Sequence, residues 1–215
     1  MLVALAKPHE ELLALLGDAS VFVLRCTGCD DIAPDSRGID ELLKALGSRV
    51  RATAPVEFLC HPEYVRSYLD YFKSAIDSAD TVLVLACGVG SQVVSSMLPA
   101  KSVYAGCDTV HMYGFQGLTA QPVNCKLCGE CYLNYTGGVC PLTSCPKGLL
   151  NGPCGGAQDG MCEVDHTAEC AWNIIHRRLT QTGRLDVLSH VFAPRDYTRI
   201  IRESPANCEV SDDAS

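Results

Sequence analysis

The chain has 215 residues, with 25 Asp+Glu against 17 Lys+Arg, 14 cysteines and 47% hydrophobic residues. That is long enough for one large or two small domains with a packed core, and its composition argues against general disorder. The net charge of −8 disfavours a nucleic-acid or anionic-membrane surface, because both need basic side chains against phosphate.

In chain order, an opening helix is predicted over Pro8–Leu16. Short β-branched runs at Ser20–Arg25, Val56–Leu59, Thr81–Ala86 and Ser102–Ala105 read as strands buried on both faces. Helical spacing joins Ile39, Leu42, Leu43 and Leu46 in Gly38–Leu46, and Val65, Leu69, Phe72 and Ile76 in Pro62–Ser78. Gly90–Leu98 supplies a further helix through Val93, Val94, Met97 and Leu98. Strands alternating with helices imply an α/β fold, a small Rossmann- or flavodoxin-like parallel sheet with right-handed crossovers. The rhythm stops over residues 124–170, which hold eight cysteines, eight glycines and prolines 141, 146 and 153 in 47 residues. Such a stretch buries little apolar surface, so something besides a hydrophobic core must order it. Helices return at Glu169–Leu179 and Arg184–Val191, and Trp172 is expected to pack the first of them on the loop. The expected organisation is an α/β domain over 1–120, a cysteine-rich region with C-terminal helices over 121–204, and a polar tail over 205–215.

No apolar run approaches the ~20 residues of a membrane helix. Met1–Ala6 is too short for a signal-peptide core and runs at once into Lys7, so a cytoplasmic protein is expected. In a reducing compartment fourteen cysteines point to metal ligation rather than disulfides. Cys26, Cys60, Cys87 and Cys107 each follow a predicted strand, which places them at one edge of the sheet, where α/β proteins bind ligands. Cys29 joins through Cys26-x2-Cys29, a spacing that faces two thiolates toward one metal. Cys107 reads equally well as a small buried core residue. A redox dithiol at Cys26 and Cys29 would leave Cys60 and Cys87 without a role. Gly28, Gly88 and Gly106 would let backbone amides approach cluster sulfurs. Gly88-Val89-Gly90 after a strand is only a weak dinucleotide signal, because no third glycine stands at Val93.

The strongest pattern is Cys125-x2-Cys128-x2-Cys131, the opening of a bacterial ferredoxin motif, with Cys140-Pro141 and Cys145-Pro146 resembling its closing Cys-Pro. With Cys154, Cys162 and Cys170 there are thiols for two four-cysteine centres. The fourth partner of the first three is open among Cys140, Cys145, Cys154, Cys162 and Cys170. A run of three cysteines at this spacing suits a [4Fe-4S] cubane better than a tetrahedral zinc ion, although zinc held by four cysteines also orders core-poor segments. His61, His111 and His166 lie near cysteines but read better as exposed or hydrogen-bonding neighbours. The sequence holds neither an acid–base pair nor an activated nucleophile.

The run Asn124–Glu163, NCKLCGECYLNYTGGVCPLTSCPKGLLNGPCGGAQDGMCE, followed by Cys170-Ala171-Trp172, resembles the MetV-type small subunit of two-subunit methylenetetrahydrofolate reductases. Leu85-Ala86-Cys87-Gly88-Val89-Gly90-Ser91-Gln92 is similar to the N-terminal region of that family, so the likeness covers about Val21 to Tyr197. Where the family has a third cysteine soon after the first pair, this chain has Asp30-Asp31-Ile32-Ala33, so Cys60 and Cys87 are the expected completions of the first centre. The resemblance implies two or three iron–sulfur clusters and a non-catalytic electron-transfer role within an oxidoreductase. It also implies a partner TIM-barrel subunit that alone carries FMN or FAD, and a place in anaerobic one-carbon metabolism.

Overall fold

Residues 3–29, 36–111 and 124–196 are described by a computed structural model. Runs of β-branched and aliphatic residues form the centre of a four-stranded parallel sheet. Its strands are Val21–Cys26 (β2), Val50–Val56 (β3), Thr81–Leu85 (β4) and Ser102–Ala105 (β5), in the spatial order β3-β2-β4-β5. In the paired register Leu24 lies beside Ala54 on one side and Val84 on the other, and Val84 beside Ala105. Strand alternation sends Phe22, Leu24, Val82, Val84 and Val103 to one face. There they meet Pro62–Tyr71 (α3), Lys73–Ser78 (α4) and Gly88–Met97 (α5) through Val65, Ile76, Val93 and Val94. Val21, Val23, Leu83, Leu85 and Tyr104 face the other way, onto Leu12 and Leu16 of His9–Leu16 (α1) and Ile39, Leu42 and Leu46 of Ser36–Leu46 (α2).

The chain winds outward from β2 to β3, then returns past β2 to β4 and β5. This reversal opens a crevice beyond the carboxyl ends of β2 and β4, the switch point where doubly wound sheets bind ligands. The expected α/β fold is therefore present.

Several local expectations are corrected. The strand predicted at Val56–Leu59 runs instead over Val50–Val56, and Leu59 and Cys60 lie in the turn beyond it. As the edge strand it exposes Arg51, Thr53 and Pro55 on alternate positions, so it lacks an apolar run, and an edge tolerates the missing proline donor. The predicted helix over 62–78 breaks at Phe72, whose ring turns inward to lie 5.7 Å from that of Phe22. Arg184–Val191 is reduced to a 3-10 segment, Leu185–Ser189. Two strands went unpredicted. Val3–Ala6 (β1) pairs antiparallel with Cys107–His111 (β6), which follows β5 after Gly106. Pro141–Ser144 (α6) is a single helical turn, and Ala171–Gln181 (α7) starts directly after Cys170. The boundary expected at 120/121, the tail over 205–215, Asp30–Ala33 and the side chain of His111 lie outside the described residues.

The cysteine-rich segment is fastened to the sheet by polar groups. Asn134, fully buried, accepts a hydrogen bond from the Ala105 backbone N–H at 2.6 Å and donates to the Ala105 carbonyl at 3.0 Å. One side-chain amide thus completes the open edge of β5 as a neighbouring strand would. Arg184 donates to the Asn134 carbonyl at 2.6 Å and lies 4.3 Å over the Tyr104 ring. Beyond this anchor, Val139, Cys170, Trp172, Ile175 and Leu179 form a small separate core. As expected, Trp172 packs the helix on the loop, donating from Nε1 to the Leu149 carbonyl at 3.0 Å.

Replacing Asn134 with Ala leaves both buried polar groups of Ala105 without partners. At about 1–3 kcal/mol per orphaned group, the variant is expected to lose about 2–6 kcal/mol of stability. Urea unfolding of the anaerobically purified protein checks this, and an unchanged midpoint would contradict the anchoring role.

Candidate metal centres

Twelve of the cysteines fall into three groups of four. The first group stands at the switch point. Cys26 is the last residue of β2, Cys29 follows in the next loop, Cys60 lies in the turn after β3, and Cys87 caps the N-terminus of α5. Their electrostatic coupling marks them as neighbours: Cys60 senses Cys29 and Cys26, and Cys87 senses Cys26 and Cys60. Burial pushes the Cys60 thiol up to about 11, with the cysteine neighbours adding to it, and burial likewise pushes Cys87 to about 11.

The second group is built on β6. Asp108 Oδ1 accepts the Cys131 backbone N–H at 2.8 Å, the Thr109 carbonyl accepts that of Gly129 at 2.9 Å, and Thr109 Oγ1 accepts that of Gly88 at 3.0 Å. Gln92 of α5 donates to the Asn124 carbonyl at 2.9 Å. These bonds lay residues 124–131 across the start of α5. Cys125, Cys128, Cys131 and Cys140 then line one small cavity with Gly88, Gln92, Thr109 and Arg195. Of the five partners the spacing left open, Cys140 is the one that meets Cys125, Cys128 and Cys131. Burial raises the Cys125 thiol to about 12, with Cys87, Cys128 and Cys140 adding to it. Burial also raises Cys128 and Cys131, while Arg195 pulls against it at the former and Lys7 at the latter.

The third group, Cys145, Cys154, Cys162 and Cys170, lines another small cavity with Pro146, Ala157 and Trp172. It is held by the bridges Gln158–Met161 and Met161–Glu169 and by Cys162 N–H to the Ala168 carbonyl at 2.9 Å. Cys154 is exposed, whereas Cys170 is buried at the N-terminus of α7.

Successive groups adjoin. A Cβ on Gly88, the residue after Cys87, would stand 3.0 Å from the Cys125 sulfur, so the first and second groups meet across a backbone with no room for a side chain. Cys140 and Cys145 cap the two ends of α6, which places their α-carbons about 7.5 Å apart along its axis, from the ~1.5 Å rise per residue.

All-sulfur sets of four suit iron–sulfur clusters or zinc. The surroundings suit a sulfur-rich core: the Leu127 N–H points at the Cys125 sulfur at 3.4 Å, and the Gly156 N–H at the Cys154 sulfur at 3.5 Å. Leu127 holds a φ of 54° to make its turn, an uncommon conformation for a residue with a side chain. Among the described residues, no group of three or more His, Cys, Asp or Glu side chains is arranged as it would be around a metal ion.

Other expectations resolve differently. Cys107 lies inside β6 and is fully buried against the core beside Leu83 and Leu85, which is the packing reading of that residue. Of the three glycines expected near sulfur, Gly88 stands against a cysteine distant in sequence, Cys125. Gly28 packs on the Glu57–Phe58 backbone and Gly106 on Leu85 and Leu83. Gly90 fits closely against Leu59 and Ala86, which accounts for the glycine pair without a nucleotide. His61 is half-exposed and pairs with Glu63 at 3.2 Å, and His166 is exposed. No disulfide links the described cysteines. The spacing gave no sign of Lys7, Asp108 and Arg195, which surround the second group and come from β6 and from segments far from it in sequence.

The raised thiols give a pH signature to the metal-free protein. Their folded values lie above the ordinary value near 9, so the stability they contribute is complete below pH 9 and is lost as pH rises from about 9 toward 12. Metal-loaded thiolates carry no such proton and lose this dependence. Urea midpoints of chelator-treated and loaded protein at pH 8 and pH 10.5 are expected to diverge at the higher pH.

Among the described residues no helix is long and apolar enough to cross a membrane. Neither a curated protein nor a solved structure matches the chain. A family model does match, over a span that runs from β5 through the second and third cysteine groups to the returning Arg195. Residues 104–198 are similar to the family described as methylene-tetrahydrofolate reductase C terminal.

Proposed function

We propose that this chain is the iron–sulfur electron-transfer subunit of a methylenetetrahydrofolate reductase complex. The observation that carries the reading is the division of twelve cysteines into three adjoining sets of four. The first two sets meet at Cys87 and Cys125, and the second and third share the turn between Cys140 and Cys145. Together they form a continuous path from the sheet crevice to the cysteine-rich loop. The family match supplies the reductase context, and it covers the second and third sets but not Cys26, Cys29, Cys60 and Cys87.

Bound iron–sulfur clusters would supply one-electron redox chemistry, which flavins can convert to hydride transfer. The chain's own residues do three things in this reading. The cysteines would hold the clusters, the backbone N–H groups of Leu127 and Gly156 would stabilise charge on sulfur, and the sheet and α6 keep successive sites at short separations. A low-potential one-electron donor would feed the path. Two electrons passed in turn, with protons from water, would reduce a flavin held by a TIM-barrel partner, and folate chemistry would take place there. A cytoplasmic location fits a chain rich in reduced thiols.

Anaerobic purification and elemental analysis test the reading. Iron and acid-labile sulfide at about four of each per site are expected. Zinc at about one ion per four cysteines, without sulfide, would overturn it in favour of a zinc-stabilised docking subunit. The grouping makes its own prediction. Cys125→Ser and Cys140→Ser should abolish the same electron spin resonance signal, Cys60→Ser a second and Cys162→Ser a third. Loss of one shared signal in Cys140→Ser and Cys162→Ser, with that of Cys125→Ser unaffected, would refute the assignment.

A further inference from the structure

The three sites differ in the charges built around them. At the first, Glu57 is exposed and the half-exposed His61 pairs with Glu63; Arg25, beside Cys26, also has a buried Nε without a hydrogen-bond partner, but it does not figure among the charges acting on Cys60 or Cys87. At the third, Lys147 is partly exposed and paired with Glu163. Solvent and salt screen such charges. The second site has two cations of a different kind.

Lys7 is 2% exposed and stands behind Cys131. Its Nζ lies 3.0 Å from Asp108 Oδ1 and 3.0 Å from Glu11 Oε1, and the same Asp108 oxygen accepts the Cys131 N–H. Burial acts to lower the ammonium's pKa, but Asp108, Cys131 and Glu11 together outweigh it, so the side chain stays charged. Arg195 reaches the other side of the cavity from the far end of the described chain. Its guanidinium donates to the Cys128 carbonyl at 3.3 Å and the Glu130 carbonyl at 2.6 Å, and lies 4.1 Å over the Tyr132 ring. Its Nε is buried with no hydrogen-bond partner, although the guanidinium lines the cavity between the four cysteines. Lys126 also lines that cavity but is exposed.

We infer that Arg195 and the Lys7–Asp108 pair make the middle site the one at which an electron rests most stably. A reduced cluster carries one more negative charge than an oxidised one. Fixed positive charge in a poorly screened environment favours the reduced state and raises the potential. Asp108 and Glu11 set the size of the Lys7 contribution by opposing it, so Arg195 carries most of the effect, and Asp108 ties the pair to the ligand backbone through the Cys131 N–H. The middle site then acts as a store between two lower-potential neighbours, holding the first electron until the second arrives. Arg195 and Lys7 are positioning residues here, acting on the site through their charge. This inference rests on the iron–sulfur reading above.

A redox titration followed by electron spin resonance, on anaerobically purified full-length protein with dithionite as reductant, tests it. In the unaltered protein, the signal that Cys128→Ser abolishes should have the highest midpoint potential. Arg195→Gln should lower that midpoint by about 59 mV or more, a tenfold change in its reduction equilibrium. Arg195→Lys should restore most of the loss. Asp108→Asn keeps an oxygen for the Cys131 N–H but removes the opposing charge, so it should move the same midpoint upward. A midpoint unmoved by Arg195→Gln, equal shifts of all three signals, or shifts of one sign in Arg195→Gln and Asp108→Asn would overturn the inference. Absence of iron and of any signal in the unaltered protein would instead overturn the iron–sulfur reading itself.

Discussion

Sulfur buried as a thiolate needs a positive partner, and this constraint shapes the molecule. Apolar surroundings push Cys60, Cys87, Cys125, Cys128 and Cys131 toward their protonated forms, because a lone anion is costly there. Ionised in such surroundings, four gathered sulfurs would need something cationic at their centre. The segment from 124 to 170 has only a minor apolar core of its own around Trp172 and Ile175, so a cation held by its cysteines would add most to its order. The sheet, with an apolar core on each face, has no such need.

The two parts are joined through polar contacts made by short strands. β6 contributes Asp108 and Thr109 to the loop that carries Cys125–Cys131, and β5 has its open edge completed by the Asn134 amide. Neither contact buries much apolar area. Both satisfy backbone groups that would otherwise be orphaned, which makes them specific as well as stabilising. The doubly wound topology puts Cys26 and Cys87 on either side of the switch point, and the loop then lies against the first turn of α5.

Much of the sheet was readable from the residues alone. β2, β4 and β5 are buried on both faces and announce themselves as uninterrupted apolar runs. β3 escaped because an edge strand with one wet face reads as Val-Arg-Ala-Thr-Ala-Pro-Val, a pattern broken by a charge and a proline. β6 escaped because Asp108 and Thr109 are buried for the sake of the loop they hold, and polar residues spaced this way look like a turn. The cysteines themselves were conspicuous, but their grouping was not. Whether Cys140 belongs with Cys125 or with Cys170 depends on where a single turn of helix points, and spacing does not encode that direction. Lys7 and Arg195 stand so far from the cysteine run in sequence that only folding brings them to it.

That single turn, α6, also links the fates of its two neighbours. Pro141 fixes its first residue and the Ser144 N–H closes it onto the Cys140 carbonyl at 2.9 Å, so the segment behaves as a stiff peg with a sulfur at each end. Seating one end in a rigid inorganic core would aim the other. Maturation of the second and third sites would then be a cooperative event, and damage that stripped one of them would loosen the grip of the other.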